Sequence, residues 1–120
     1  MSKILIVEDN QVLVKMYKIK LDLEGFQVET ASEGQEGLEK LNDFSPDLIL
    51  LDLAMPGMDG FEFLEELRKN EKLKEITVII FSNLGQESDI KRAKELGAKD
   101  YLIKVNLTPR QVVEKIRQYL

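Results

Sequence analysis

Glu8-Asp9, Asp52, Ser82 and Lys104 are the residues of this sequence whose types can do chemistry together. Each follows a short apolar run. Ile4-Leu5-Ile6-Val7 leads to the acidic pair, Leu48-Ile49-Leu50-Leu51 to Asp52, Ile79-Ile80-Phe81 to Ser82, and Tyr101-Leu102-Ile103 to Lys104. Taken singly, each has an ordinary explanation. Asp52 would cap its loop, Glu8-Asp9 the helix that follows, Ser82 would sit in a turn and Lys104 in solvent. Taken together they define a chemistry. Three carboxylates in one place repel, and at neutral pH some stay protonated unless a cation sits among them. Hard oxygen ligands with room for water suit Mg2+, which takes six ligands at about 2.0–2.1 Å and keeps part of its hydration. A magnesium ion, an ammonium and a hydroxyl around one carboxylate suit a dianionic phosphoryl group, whose oxygens they would neutralise or hydrogen-bond. That carboxylate can itself be the nucleophile and form an acyl phosphate.

Composition removes most competing chemistries. The 120 residues include no histidine and no cysteine, which excludes Ser-His catalysis, histidine-ligated zinc, thiolate metal sites and disulfides. The 17 basic and 22 acidic side chains give a net charge of −5, a poor balance for direct binding to nucleic acid or anionic lipid. With 43% hydrophobic and 32% charged residues the chain is globular rather than disordered, and its length suits one domain with one core. The longest apolar runs, around 48–51 and 76–81, are far too short to span a bilayer. The opening Lys3-Ile4-Leu5-Ile6-Val7 lacks the length of a signal peptide, so a cytoplasmic location is the expectation.

The elements that must position these residues follow from periodicity. Five runs read as strands, over 3–8, 26–31, 48–52, 76–82 and 99–104, with helical spacing between them. Val12, Met16, Ile19 and Leu23 step by four and three residues and mark a first helix, stopped at Gly25 by a left-handed cap. Ser32 reads as the N-cap of a second helix running to about Phe44, weakened by Gly34 and Gly37. Ser45-Pro46-Asp47 makes a turn. Phe61, Leu64 and Leu67 mark a third helix; Ile90, Ala93 and Leu96 mark a fourth, closed by Gly97. Thr108-Pro109-Arg110-Gln111 opens the fifth with an N-cap, a proline at the first position and a Gln three residues on. Val112, Val113, Ile116 and Leu120 give that helix its apolar face. Strand and helix alternate five times, which implies a parallel sheet covered by helices on both faces. In such sheets ligands bind beyond the carboxyl ends of the strands, where strand order reverses. The second strand ends in Ala31-Ser32 without a charge; the other four end in the residues named at the outset.

Four stretches carry a resemblance: Ile4-Leu5-Ile6-Val7-Glu8-Asp9-Asn10, Asp52 with Met55-Pro56-Gly57-Met58-Asp59-Gly60, Ile79-Ile80-Phe81-Ser82, and Gly97-Ala98-Lys99-Asp100-Tyr101-Leu102-Ile103-Lys104. Through them the sequence resembles a response-regulator receiver domain, the phosphorylated half of two-component signalling, over essentially its whole length. The resemblance implies a single domain over 1–120. It also implies a doubly wound, flavodoxin-like α/β fold with strand order 2-1-3-4-5, the order of the family's chemotaxis member. Asp52 resembles the phospho-acceptor, which takes its phosphoryl group from a histidine kinase or phosphotransfer protein. Asp9 and Asp52 would ligate Mg2+ directly, Glu8 mainly through water, and the Ala54 backbone carbonyl would complete the protein's share. Lys104 would pair with the phosphoryl oxygens, Ser82 would move to hydrogen-bond them, and Tyr101 would turn inward after it. The region from the fourth strand to the last helix would be the bistable element. The fourth helix, fifth strand and fifth helix would then present the change to a downstream protein. The expectation is a stand-alone switch, monomeric or weakly dimeric on phosphorylation, that contacts neither nucleic acid nor membrane. It would catalyse at most its own phosphorylation. Asp100, Lys91, Lys94 and Arg117 read as solvated surface, with an intermolecular charge-paired face as the alternative.

Three positions depart from the usual family pattern. Val105 follows Lys104 where proline is usual, and a cis bond to a non-proline residue costs about 3–4 kcal/mol; the expectation is a trans Lys104–Val105 peptide, or else a strained cis bond held by the site. Asn83 follows Ser82 where alanine or glycine is usual, to narrow the pocket or hydrogen-bond the phosphoryl group. Ala54 and Leu84 stand two residues after Asp52 and Ser82, where the family places the water that hydrolyses the acyl phosphate. Neither can orient water, so slow self-dephosphorylation is expected. Two other readings compete with the switch: a receiver-like module that works without phosphorylation, and a magnesium-dependent aspartyl phosphatase. The intact constellation argues against the first. Ala54, standing where such phosphatases place a second aspartate, argues against the other, as does the lack of a cap domain.

Overall fold

The computed structural model describes residues 1–120. Strand β1 (Lys3–Val7) is followed by α1 (Gln11–Leu23), β2 (Gln27–Ala31), α2 (Gly34–Lys40) and β3 (Leu48–Leu51). Then come α3 (Gly60–Lys69), β4 (Thr77–Ser82), α4 (Glu87–Glu95), β5 (Asp100–Ile103), a 3-10 turn (Lys104–Asn106) and α5 (Pro109–Gln118). The five strands form one parallel sheet in the order β2-β1-β3-β4-β5. The order reverses between β1 and β3, so their carboxyl ends open a crevice at residues 8 and 52.

Side chains alternate across a strand, and each face of the sheet has its own core. Leu5, Val7, Ile49, Leu51, Val78 and Ile80 pack against Phe61, Phe63, Leu64 and Leu67 of α3 and Ala93 of α4. Ile4, Ile6, Leu48, Leu50, Ile79 and Phe81 pack against Val14, Tyr17 and Leu21 of α1 and Val112, Val113 and Ile116 of α5. All four residues of β3 are buried, which is why that strand carries no polar residue until it ends.

The structure differs from the sequence reading at four points. The stripe Val12, Met16, Ile19, Leu23 is exposed, with Val12 and Leu23 at 82% and 83%. Helix α1 instead buries Val14, Tyr17 and Leu21, and the Tyr17 ring meets Phe81 edge-on at 5.3 Å. Both sets have helical spacing, and only the second includes the aromatic that fills the space beside β4. Ser32 does not cap α2. Its N–H and hydroxyl both donate to Glu36, at 2.6 and 2.9 Å, and Glu33 stands at the cap position without a side-chain bond. The helix ends at Lys40 rather than near Phe44, and residues 41–43 continue as single turns. Its two glycines sit where neighbours pack closely. A Cβ at Gly34 would meet Met58 at 3.0 Å, and one at Gly37 would meet Phe63 and Val7 at 3.1 Å. Leu120, expected on the apolar face of α5, is exposed. The last helix otherwise starts as expected: Thr108 Oγ1 accepts from Gln111 N at 3.2 Å and Gln111 Oε1 from Thr108 N at 2.9 Å. Gly25 and Gly97 end their helices with φ of 93° and 92°. No helix is long and apolar enough to cross a membrane.

Candidate functional site

Four strand ends deliver the site. Glu8 and Asp52 lie one residue beyond β1 and β3, Ser82 ends β4, and Lys104 begins the turn after β5. Glu8, Asp52 and Ser82 are 3%, 5% and 0% exposed, while Asp9 is open to solvent. One carboxylate oxygen from each of Glu8, Asp9 and Asp52 lies within 4.8 Å of the others. Lys104 Nζ sits 3.3 Å from Asp52 Oδ2, in closer ionic contact with Glu8 Oε1, and 5.7 Å from the centre of the Phe81 ring.

The backbone around each acid explains its orientation. Glu8 Oε2 accepts from Asn10 N at 3.0 Å, and Asn10 in turn caps α1, its Oδ1 accepting from Leu13 N at 3.2 Å. Asp52 Oδ1 accepts weakly from Ala54 N at 3.3 Å, which leaves Oδ2 toward Lys104. The loop from Leu53 returns at Gly60, where a Cβ would approach the Asp52 carbonyl oxygen to 2.5 Å. Only glycine lets α3 start that close to the acid. Asp59 then caps α3 through a reciprocal pair with Glu62. Gly57, with φ of 72°, makes the turn between.

Burial pushes the Glu8 carboxyl up to about 7, with the Asp52 charge adding to the rise. The contact with Lys104 and the bond from Asn10 pull the other way and do not restore the ordinary range. Glu8 Oε1 makes no hydrogen bond within good geometry, so its contact with Lys104 is chiefly ionic. Lys104 is thus the only partner of this buried oxygen, which lies beside two further carboxylates. Three hard oxygen donors at this spacing fit a divalent cation such as Mg2+.

Ser82 and Tyr101 are joined through Leu84. Leu84 N–H donates to Ser82 Oγ at 3.3 Å, and the Tyr101 hydroxyl donates to the Leu84 carbonyl. The Tyr101 ring is half-buried against the core shared by α3 and α4. Burial pushes its hydroxyl pKa up to about 12, with the Asp89 and Asp52 charges adding to the rise. The structure thus brings Glu8, Asp9, Asp52 and Lys104 together, and links Ser82 to Tyr101 through Leu84. The Ala54 carbonyl enters no backbone hydrogen bond among those outside the regular elements, and Ala54 is exposed between the buried Leu53 and Met55. Asn83 departs from expectation: its Oδ1 accepts from Val105 N at 3.2 Å, across a Lys104–Val105 peptide that is trans. Sequence reasoning missed Asn10 as a support of Glu8 and Phe81 as the ring beneath Lys104. The acceptor-type residue directly after Glu8-Asp9, at a helix start, was the available signal for Asn10. Of the charged surface near β5, Asp100 accepts from Tyr119 OH at 2.9 Å, and Arg117 pairs with Glu24 at 3.5 Å. Two of those four charges are thus spent within the chain.

An open parallel sheet with strand order 2-1-3-4-5 defines a doubly wound, flavodoxin-like α/β fold, here with an acidic cluster at the point where the order reverses. The chain belongs to the response regulator receiver domain family, whose model matches residues 4–117. It is 42% identical over 120 residues to the transcriptional regulatory protein CpxR of Klebsiella pneumoniae, covering all of this chain and 50% of that protein. It is 35% identical over 115 residues to the phosphate regulon regulatory protein PhoB of Escherichia coli, covering 96% and 50%. The chain spans about half the length of the curated relatives it matches. Among solved structures it is similar to the chemotaxis protein CheY4 of Vibrio cholerae, with a TM-score of 0.93 and 29% identity over 100% of this chain and 99% of that one. A CheY-like receiver domain protein of Methanospirillum hungatei gives 0.90 and 30%, covering 98% and 92%.

Proposed function

We propose that this receiver domain is a phosphorylation-controlled switch in which Asp52 takes a phosphoryl group from a phosphohistidine on a kinase or phosphotransfer protein. The observation that carries the reading is the meeting of Asp52, Glu8, Asp9 and Lys104 at one edge of the sheet. Asp52 Oδ2 attacks phosphorus, the new P–O bond forms as the P–N bond breaks, and the imidazole leaves with a proton from solvent. Glu8, Asp9, Asp52 and the Ala54 carbonyl would hold Mg2+. When bound, the ion supplies charge neutralisation to the transferring oxygens. Lys104 pairs with a phosphoryl oxygen as it gives up its place between Glu8 and Asp52.

Ser82 then turns its hydroxyl to donate to the phosphoryl group and releases the Leu84 N–H. Leu84 is also the acceptor for Tyr101, so the loop after β4 and the Tyr101 ring move as one unit. That motion alters the face formed by α4, β5 and α5, which regulates a protein surface on this chain or another. The phosphoryl group makes contacts in one state that it cannot make in the other, and this difference biases the equilibrium.

The test is intact mass after incubation with Mg2+ and a small acyl phosphate, for the wild type and Asp52→Asn. A stable phosphoryl adduct that the mutant lacks supports the switch. Absence of any adduct favours a phosphate-independent module, and rapid donor turnover without accumulation favours a phosphatase.

A further inference from the structure

Asn83 and Val105 stand one residue past Ser82 and Lys104, at neighbouring strand ends. The last backbone pair of the β4–β5 ladder is Ser82 with Ile103. Beyond it a side chain takes over as acceptor: Asn83 Oδ1 receives the Val105 N–H at 3.2 Å. The donor exists because residue 105 is not proline. The bond fixes the peptide leaving Lys104, at the start of the short turn Lys104–Asn106. The backbone bond that closes this turn, from Leu107 N to the Lys104 carbonyl, is long at 3.5 Å. Val105 itself packs little, being 78% exposed. From this backbone the long Lys104 side chain must place Nζ against Glu8 and Asp52, over Phe81. A small rotation at its root displaces the ammonium by far more at the tip, and misplaced charge loses much of its catalytic worth.

Resting on the phosphoryl-transfer reading above, we infer that Asn83 is a positioning residue for Lys104. It acts through the Val105 N–H rather than by touching the phosphoryl group. The two departures from the family pattern are then one device, a side-chain rung that aims the lysine where a proline usually follows it.

The experiment combines phosphorylation kinetics with amide hydrogen exchange at Val105 in the unphosphorylated protein. With Mg2+ and a small acyl phosphate, Asn83→Ala lowers the maximal rate about tenfold and leaves the half-saturating donor concentration unchanged. It also speeds Val105 amide exchange without changing Tm, since the bond lies at the surface. Val105→Pro removes the donor and lowers the rate similarly, and the double variant is no slower than either single one. Val105→Ala keeps the N–H and the wild-type rate. Asn83→Asp keeps an acceptor oxygen and restores Val105 protection, so this pair decides the matter if the proline variant does not fold. Wild-type kinetics in Asn83→Ala overturn the inference, as do multiplying losses in the double variant or a raised half-saturating concentration, which would mark direct contact with the phosphoryl group. If the wild type takes no phosphoryl group, the reading of Asp52 fails and takes this inference with it. If the wild type is phosphorylated and Asn83→Ala is unaffected, only the positioning role fails.

Discussion

Arg68 and Lys104 are both half-buried cations, one at each end of the sheet, and their surroundings differ in kind. At the amino ends of β4 and β5, Arg68 donates to four backbone carbonyls: Leu96 at 3.0 Å, Lys74 at 2.7 Å, Ile76 at 3.1 Å and Gly97 at 2.9 Å. Two of these belong to the end of α4, where free carbonyls favour a cation. At the carboxyl ends, Lys104 faces two carboxylates, one bond at 3.3 Å, and an acid whose second oxygen has no hydrogen bond. Neutral carbonyls fixed in the backbone can neither titrate nor leave. Carboxylates can do both. The first arrangement fastens the fold, and the second leaves a charge that a ligand can re-partition.

The sharpest test of that contrast exchanges activity for stability at one edge and not the other. Asp52→Asn abolishes the phosphoryl adduct completely, because no carboxylate oxygen is left to attack. Its Tm stays level or rises, since Glu8 loses a like-charged neighbour. Arg68→Ala does the reverse. It costs about 2–3 kcal/mol in chemical denaturation, from carbonyls left without a donor, while the folded protein is phosphorylated at the wild-type rate. Arg68→Lys recovers little, because a point charge cannot reach four carbonyls as the planar fork does. An Arg68→Ala protein with wild-type stability, or an Asp52→Asn protein that unfolds, would end the distinction between the two edges.

That difference also governs what could be read in the sequence. The site was legible because a central parallel strand buries both faces, so Asp52 after Leu48–Leu51 has to mean something. Strand ends named their residues, and topology brought them together. Arg68 was not legible, since its partners are main-chain carbonyls up to 29 residues away and no residue type marks them. The residues whose spacing marks the first helix lie on its exposed face, because it carries two apolar stripes. Periodicity cannot choose between Val12–Ile19 and Val14–Leu21; packing against β1 and Phe81 does. Ser32 looked like a cap by type and position, yet Glu36 competes for both of its hydrogen atoms. The role of Asn83 needed the register of β4 against β5.

The unsatisfied edge has a pH signature that the satisfied one lacks. Glu8, faced by Asp52, Asp9 and Lys104, rises from 4.5 to about 7 on folding, chiefly through burial. Between those values the folded protein holds a proton that the unfolded chain has lost. Stability from this group is therefore complete below about 4.5 and falls as pH rises through about 7. Denaturant titrations without Mg2+ should show that fall, and Glu8→Gln should flatten it. Added Mg2+ opposes it, because the ion binds deprotonated carboxylates and its stabilisation grows with pH. A slope that survives Glu8→Gln would place its origin elsewhere.

The smallest effect concerns lifetime. Both edges are quiet, for opposite reasons. Around Arg68 the donors are spent on four main-chain carbonyls, whereas around Asp52 the neighbouring loop residues have no side chain to bring water in. Ala54 offers only a methyl group, and the Leu84 side chain is apolar, with its backbone spent on Ser82 and Tyr101. An acyl phosphate on Asp52 should thus decay over minutes or longer, as followed by loss of the adduct mass after the donor is removed. Ala54→Asn supplies a side chain able to hold the attacking water and should shorten the half-life about tenfold. Its carboxamide leaves the Ala54 backbone contact with Asp52 in place, so the rate of phosphorylation should change less than the rate of loss. Decay of the wild type within seconds would mean that another group orients the water, and Asn83 and Lys104 would be the first residues to vary.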